Sequence, residues 1–245
     1  GNAMKSYERG APVIDEKFQI RITQGGPYVV FGNPPIRSQT IIADADGRSW
    51  AYLAGDKNYA KIGIESVALC RCGHSQNAPY CDAHHLKTKW NPSLTASRHS
   101  LCADAERIVG PTLTLTDNPK YCAYARFCDA RGNSWNLTRA SGDVQNRIWA
   151  IQTVQNCPSG RLKAWDNESS KALEPTLAPQ VGLIEDPVLG VSGPLWVMGG
   201  IPVVAADDYV FQVRNRVSLC RCGASANKPF CDGTHAKVKF TDGIK

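Results

Sequence analysis

The chain has 245 residues, 42% of them hydrophobic, and a formal net charge of +6 from 28 basic and 22 acidic side chains. That apolar content suffices for one large core or two smaller ones. No run of about 18 apolar residues is present for a membrane span, and no Lys/Arg cluster with stacking aromatics marks a nucleic-acid surface. Ten cysteines in a chain that opens without a signal peptide point to a reducing, cytoplasmic setting rather than a secreted disulfide framework. The leading Gly1-Asn2-Ala3 before Met4 reads as a tag-cleavage scar and is set aside.

In chain order, the first predicted element is a strand over residues 26–32, a short apolar run bounded by Gly and Pro. Residues 44–62, with Gly47 and Gly55, have no counterpart later in the chain and are expected to form an extra hairpin. A second apolar strand, Ser66–Leu69, then leads into Cys70-Arg71-Cys72, followed by Cys81 and His85 in the spacing C-x-C-x8-C-x3-H. Trp90 is expected to pack beside this motif. His74 and His84 within it, and His99 beyond it, are expected to be surface residues.

The middle of the chain differs. Residues 112–116 alternate as a strand, and residues 141–156 form a helix with Val144, Ile148, Ile151 and Gln155 on one face. Ser141 and Asp143 are start signals for that helix. Four cysteines, Cys102, Cys122, Cys128 and Cys157, belong to this segment. The opening pattern then returns. Residues 193–199 repeat residues 26–32, and a strand over 217–219 leads into Cys220, Cys222, Cys231 and His235 at the same C-x-C-x8-C-x3-H spacing.

Three thiols and an imidazole at one spacing, twice, form two metal-ligand sets. Cysteines one residue apart project from one tight loop. If Asp82 opens a helix, His85 stands one turn above Cys81 on the same face. Two pairs can then converge, either on one tetrahedral Zn²⁺ or on a two-iron cluster with one iron per pair. The spacing alone does not choose.

The residues between the ligands carry more. The string C-x-C-x2-S-x3-P-x-C-D-x2-H resembles the CDGSH iron–sulfur family. The second copy, Cys231-Asp232-Gly233-Thr234-His235, fits throughout. The first has Ala83 and His84 where the family has Gly and a small residue, so its helix start is expected to shift slightly. The resemblance implies two [2Fe–2S] clusters. Cys70 and Cys72 would bind one iron of the first and Cys81 and His85 the other; Cys220, Cys222, Cys231 and His235 would repeat the arrangement. It also implies a β-cap of strands from paired units, here made within one chain. Cys122-x5-Cys128, a helix and Cys157-Pro158 resemble a divergent single-cluster ferredoxin-like family. They mark Cys122, Cys128 and Cys157 as a further candidate set, with Cys102 the remaining possible fourth ligand. Small buried residues of a domain that lost its cluster, or a disulfide, are the other readings.

The expected fold is therefore α+β and mostly β. Two CDGSH-type units, residues 4–101 and 166–245, pack as an internal pseudo-dimer around a small α/β segment, residues 102–165, in a monomeric chain. The expected function is one-electron transfer, proton-coupled if the histidine edge is open, to an unidentified redox partner protein. The alternatives are [2Fe–2S] delivery to an apo-acceptor protein, or a structural or sensor module. No hydrolase or transferase motif, Walker loop, dinucleotide-binding glycine motif or metalloprotease motif is present, so no enzymatic activity is expected.

Overall fold

The computed structural model describes residues 17–244; the leading Gly1-Asn2-Ala3 lies outside the described residues. The strands are β1 (Gln19–Ile22), β2 (Tyr28–Phe31), β3 (Ile36–Ala43), β4 (Ser49–Ala54), β5 (Ser66–Leu69), β6 (Glu106–Val109), β7 (Leu113–Asp117), β8 (Leu162–Asp166), β9 (Gln180–Asp186), β10 (Val191–Met198), β11 (Val203–Val204) and β12 (Arg216–Leu219). The α-helices are α1 (Ser134–Arg139), α2 (Val144–Gln155) and α3 (Thr234–Lys237). The molecule is α+β and mostly β. None of its described helices is long and apolar enough to cross a membrane.

The two repeats build two sheets, ordered β11-β1-β2-β5 and β12-β10-β9-β3-β4. In the first, β1 and β2 pair Ile20 with Val30 and Ile22 with Tyr28, and all four side chains point into the core. In the second, β9 and β10 pair Val181 with Val197 and Leu183 with Leu195, again inward. Each half lends a strand to the other. The second half's β11 runs parallel to β1, with Ile20 opposite Val203. The first half's β3 runs parallel to β9, with Ile36 opposite Val181. The exchange closes an edge on each sheet and joins both halves in one core, where Ile20, Tyr28 and Leu69 pack with Leu183, Val197 and Leu219.

The extra hairpin exists but starts earlier than residue 44. Its first strand is β3, the lent one, and only the turn and β4 fall in the expected stretch. Asp44 forms that turn by accepting from the Asp46 and Arg48 amides, each at 2.9 Å.

The middle segment has its own three-stranded sheet, β6-β7-β8, with α1 and α2 packed on it through Leu113, Leu137, Ala150, Leu115 and Val154. Asp143 caps α2 by accepting from the Asn146 amide at 2.9 Å. The helix lies where expected, but with another face inward. Val144 and Ile148 are 73% and 53% exposed, while Ala150, Thr153 and Val154 are buried. A helix this short packs by whichever small residues fit the sheet, and here Ala150 and Thr153 fit closer than the bulky row.

Candidate metal centres

Both motifs start from the same β-bridge. Leu69 pairs antiparallel with Tyr80, and Leu219 with Phe230. Around each bridge the amides of Cys70 and Cys81 donate to Pro79 and Ala68 at 2.8 and 2.9 Å; those of Cys220 and Cys231 donate to Pro229 and Ser218 at the same distances. Side chains alternate along a strand. Leu69 and Leu219 therefore enter the core, and Cys70 and Cys81, like Cys220 and Cys231, project from the opposite face as diagonal neighbours, about 7 Å apart for such positions.

The ligand atoms then fall into pairs. The sulfurs of Cys70 and Cys72 lie 3.8 Å apart and those of Cys220 and Cys222 3.7 Å. Cys81 Sγ is 3.5 Å from His85 Nδ1, and Cys231 Sγ is 3.4 Å from His235 Nδ1. Among the described residues, no three His, Cys, Asp or Glu side chains converge on a position for one metal ion.

The other motif residues hold the loops. Ser75 donates to the Tyr80 carbonyl at 2.5 Å, and Ser225 to that of Phe230 at 2.6 Å. Asp82 accepts from the amides of Gln76 and His84, and Asp232 from those of Ala226 and Thr234. The Gln76 amide holds the Asp82 carboxyl below its usual range. The acid does not itself open the helix. One left-handed residue intervenes, Ala83 at φ 66° and Gly233 at φ 88°, and the helical turn starts at His84 or Thr234. Ala83 thus leaves the start in place and bears the left-handed conformation instead, at about 1 kcal/mol. Within each C-x-C pair one thiol is favoured as the thiolate and its neighbour is pushed up. Hydrogen bonding from Cys72, with help from the Ser75 and Gly73 amides, brings Cys70 down to about 5; Cys222, Ser225 and Gly223 bring Cys220 to about 6.

The two loops sit back to back. Gly73 lies on the Cys222 carbonyl and Gly223 on the Cys72 carbonyl, both at positive φ, and a Cβ at either would overlap that backbone. This reciprocal contact is the pseudo-twofold. Tyr28 crosses it, donating to the Cys220 carbonyl at 2.5 Å. Sequence reasoning missed the arginine inside each C-x-C pair, although its repetition was the available signal. Arg71 packs on Trp90 at 4.7 Å, placing that tryptophan beside the motif, and Arg221 packs on Phe240 at 5.5 Å.

The environments of the two sites differ. Cys81 and His85 are partly exposed, whereas Cys231 and His235 are each 3% exposed. The middle segment covers the second site. Gly233 lies against the Cys122 carbonyl and the Tyr124 side chain, and Arg126 makes a two-pronged ion pair with Asp186, at 2.8 and 3.1 Å. Burial pushes His235 down to about 4. His74 and His99 are exposed, as expected; His84 is half-buried, its Nδ1 3.4 Å from Asp82.

Cys122, Cys128 and Cys157 line one small cavity, together with Tyr124, Arg126 and Arg161. All ten cysteines are free thiols, which removes the disulfide reading. Cys102 is corrected as a possible fourth ligand: it lies outside this lining and packs on the main core. Behind the cavity is an unusual store of buried positive charge. Arg216 donates to the Cys157 carbonyl at 2.6 Å and pairs with Glu174 at 2.7 Å. Arg214 donates to the Ser159 carbonyl at 2.6 Å, and its Nη2 has no hydrogen-bond partner among the described residues. Lys163 is fully buried beside them, and burial pushes it down to about 7. Two buried guanidiniums thus lie near the one carboxylate of Glu174, and an anionic group held by the three thiols would offset charge that is otherwise costly.

Comparison with known families agrees with this geometry. A family described as iron-binding zinc finger, CDGSH type, matches residues 25–86 and 192–236, and one described as divergent 4Fe-4S mono-cluster matches residues 108–167. No curated protein and no solved structure matches the chain.

Proposed function

The chain carries two regions of the CDGSH iron-binding family around a divergent 4Fe-4S mono-cluster region, and on that premise we propose that each CDGSH motif holds one [2Fe–2S] cluster and serves one-electron transfer. The carrying observation is the pairing of the ligand atoms. Two metal–thiolate bonds of about 2.3 Å at a tetrahedral angle span about 3.8 Å between sulfurs, and a thiolate with an imidazole spans about 3.6 Å. The observed pairs, 3.7–3.8 Å and 3.4–3.5 Å, match these spans. Each pair is thus dimensioned to grip metal, and the motifs' match to an iron-binding family favours iron over zinc.

Such a cluster accepts and returns single electrons. A neutral histidine in place of a fourth thiolate raises its potential. The protein's part is to hold the ligand pairs at metal-binding spans, to exclude water at the second motif, and to leave the edge at His85 open to a redox partner protein. That open edge also favours a second reading, cluster delivery to an apo-acceptor. The pairing contact within the chain supports a monomeric working form. The buried cations behind Cys122, Cys128 and Cys157 support a further centre there, as the middle family's description suggests.

Reductive titration followed in the visible spectrum tests the reading. Reversible reduction by about two electrons per pair of motifs supports electron transfer. Irreversible bleaching, with quantitative transfer to an apo-ferredoxin, favours delivery instead.

A further inference from the structure

Arg71 and Arg221 occupy the same place in the two motifs, and each donates from Nε to a glycine carbonyl, Gly26 or Gly193, at 2.7 Å. Beyond that contact they diverge. Arg71 meets carbonyls, of Pro92 at 3.0 Å and Thr23 at 3.5 Å. Arg221 meets the Ile184 carbonyl at 3.1 Å and two carboxylates, Asp242 at 2.8 Å and Glu185 at 3.3 Å. Since Thr23 and Ile184 correspond, neutral Gln24 stands in the first half where Glu185 stands in the second.

Two carboxylates on one guanidinium leave a negative charge in a confined place. The Asp242 side chain is 3% exposed and that of Glu185 29%. Ser192 ties them together, donating to Glu185 at 2.7 Å and accepting from the Asp242 amide at 3.0 Å. Both carboxylates lean on one guanidinium, so the pair carries one uncompensated negative charge and is poised to take up a single proton. Burial and the bond to Asp242 place it on Glu185, pushed up to about 7. Among the described residues, the charged and titratable groups around the pair include Arg221, Asp186 on the adjoining strand position, Cys70 across the small cavity beside Asp242, and Tyr59 from the first half, which senses both acids.

The location gives this pair a purpose. Glu185 and Asp242 line a solvent-open cavity of about 300 Å³. On the other side, Asp242 and Arg221 line a small cavity with Cys70, Gly73 and Pro79 of the first motif. The pair therefore connects solvent to the contact between the two motifs.

We propose that the Glu185–Asp242 pair is a proton-binding site that loads when the adjoining motifs are reduced. Resting on the electron-transfer reading, the step balances simply. An external one-electron donor converts one ferric iron to ferrous, and one proton from solvent binds a carboxylate oxygen of Glu185; oxidation releases both. The added negative charge is what draws the proton. This route is separate from any protonation of the histidines.

The test is the midpoint potential of the purified, cluster-loaded protein against pH, for wild type and Glu185→Gln. Wild type is expected to fall in potential as pH rises from about 7, until the higher carboxyl value of the reduced state is passed. Glu185→Gln is expected to be flatter there and to keep the residual slope outside it. Reduced-minus-oxidised infrared difference spectra of wild type supply a readout independent of the variant, with a protonated-carboxyl band appearing on reduction. An unchanged slope in Glu185→Gln, or no such band, overturns the proposal while leaving electron transfer intact. Absence of any reversible reduction overturns both.

Discussion

In the first motif Cys81 and His85 keep part of their surface in solvent, while in the second Cys231 and His235 are each 3% exposed. Their ligand loops share the same bridge, the same serine and aspartate hydrogen bonds to the backbone and nearly the same sulfur spacings. What separates them is supplied from elsewhere in the chain, by Tyr124 and the Arg126–Asp186 pair over one motif and by solvent over the other. Ligand geometry is thus a property of about sixteen contiguous residues, whereas access to it is a property of the fold. One chain can therefore present an open centre and a covered one.

The largest expected effect follows from access. On challenge with an iron chelator at neutral pH, the first motif should lose its iron at least about tenfold faster than the second, because the second needs local opening of the middle segment. Single variants that keep one ligand set assign the phases, Cys81→Ala reporting on the second motif and Cys231→Ala on the first. Equal rates would break the comparison.

Next in size is removal of the cover. Arg126→Ala leaves Asp186, whose side chain is 2% exposed, without its ion-pair partner. That should cost about 3 kcal/mol in denaturant unfolding and bring chelation at the second motif toward the rate of the first. A stability loss under about 1 kcal/mol would show that the pair does not hold the cover down.

A smaller effect concerns pH. The folded protein holds the Glu185 proton more tightly than the unfolded chain, so that stabilisation is complete below the ordinary carboxyl range and is lost as pH rises through about 7. Glu185→Gln should accordingly gain on wild type between pH 5 and pH 8, by on the order of 1–2 kcal/mol after screening of its partly exposed side chain. A constant difference across that range would contradict the shared-proton arrangement.

The smallest concerns the left-handed residue. Ala83→Gly should stabilise the first motif by about 0.5 kcal/mol, against the usual sign of an alanine-to-glycine change, because φ there is positive. Thermal unfolding measures it, and a loss of stability would mean that the alanine carries no strain.

Much of this was legible in the sequence. The ligand spacing, the strands before each motif and the repeat of residues 26–32 at 193–199 all reflect local patterns, and local patterns survive folding. The solvent-facing row of α2 was not legible, because Val144 and Ile148 satisfy the helical period without choosing a side. Neither was the strand exchange through β3 and β11, since register between halves depends on the closed core. The carboxylate pair on Arg221 joins residues 185, 221 and 242 through tertiary structure alone. Cys122, Cys128 and Cys157 were recognisable as a set, but the buried Lys163, Arg214 and Arg216 behind them became visible only in three dimensions.

Iron, inorganic sulfide and zinc counted per chain in the purified protein test the central claim most directly. The account predicts iron and sulfide in equal amounts, about four of each from the two CDGSH motifs and near eight if the middle thiols hold a four-iron cluster as well. One or two zinc ions with no sulfide would contradict it.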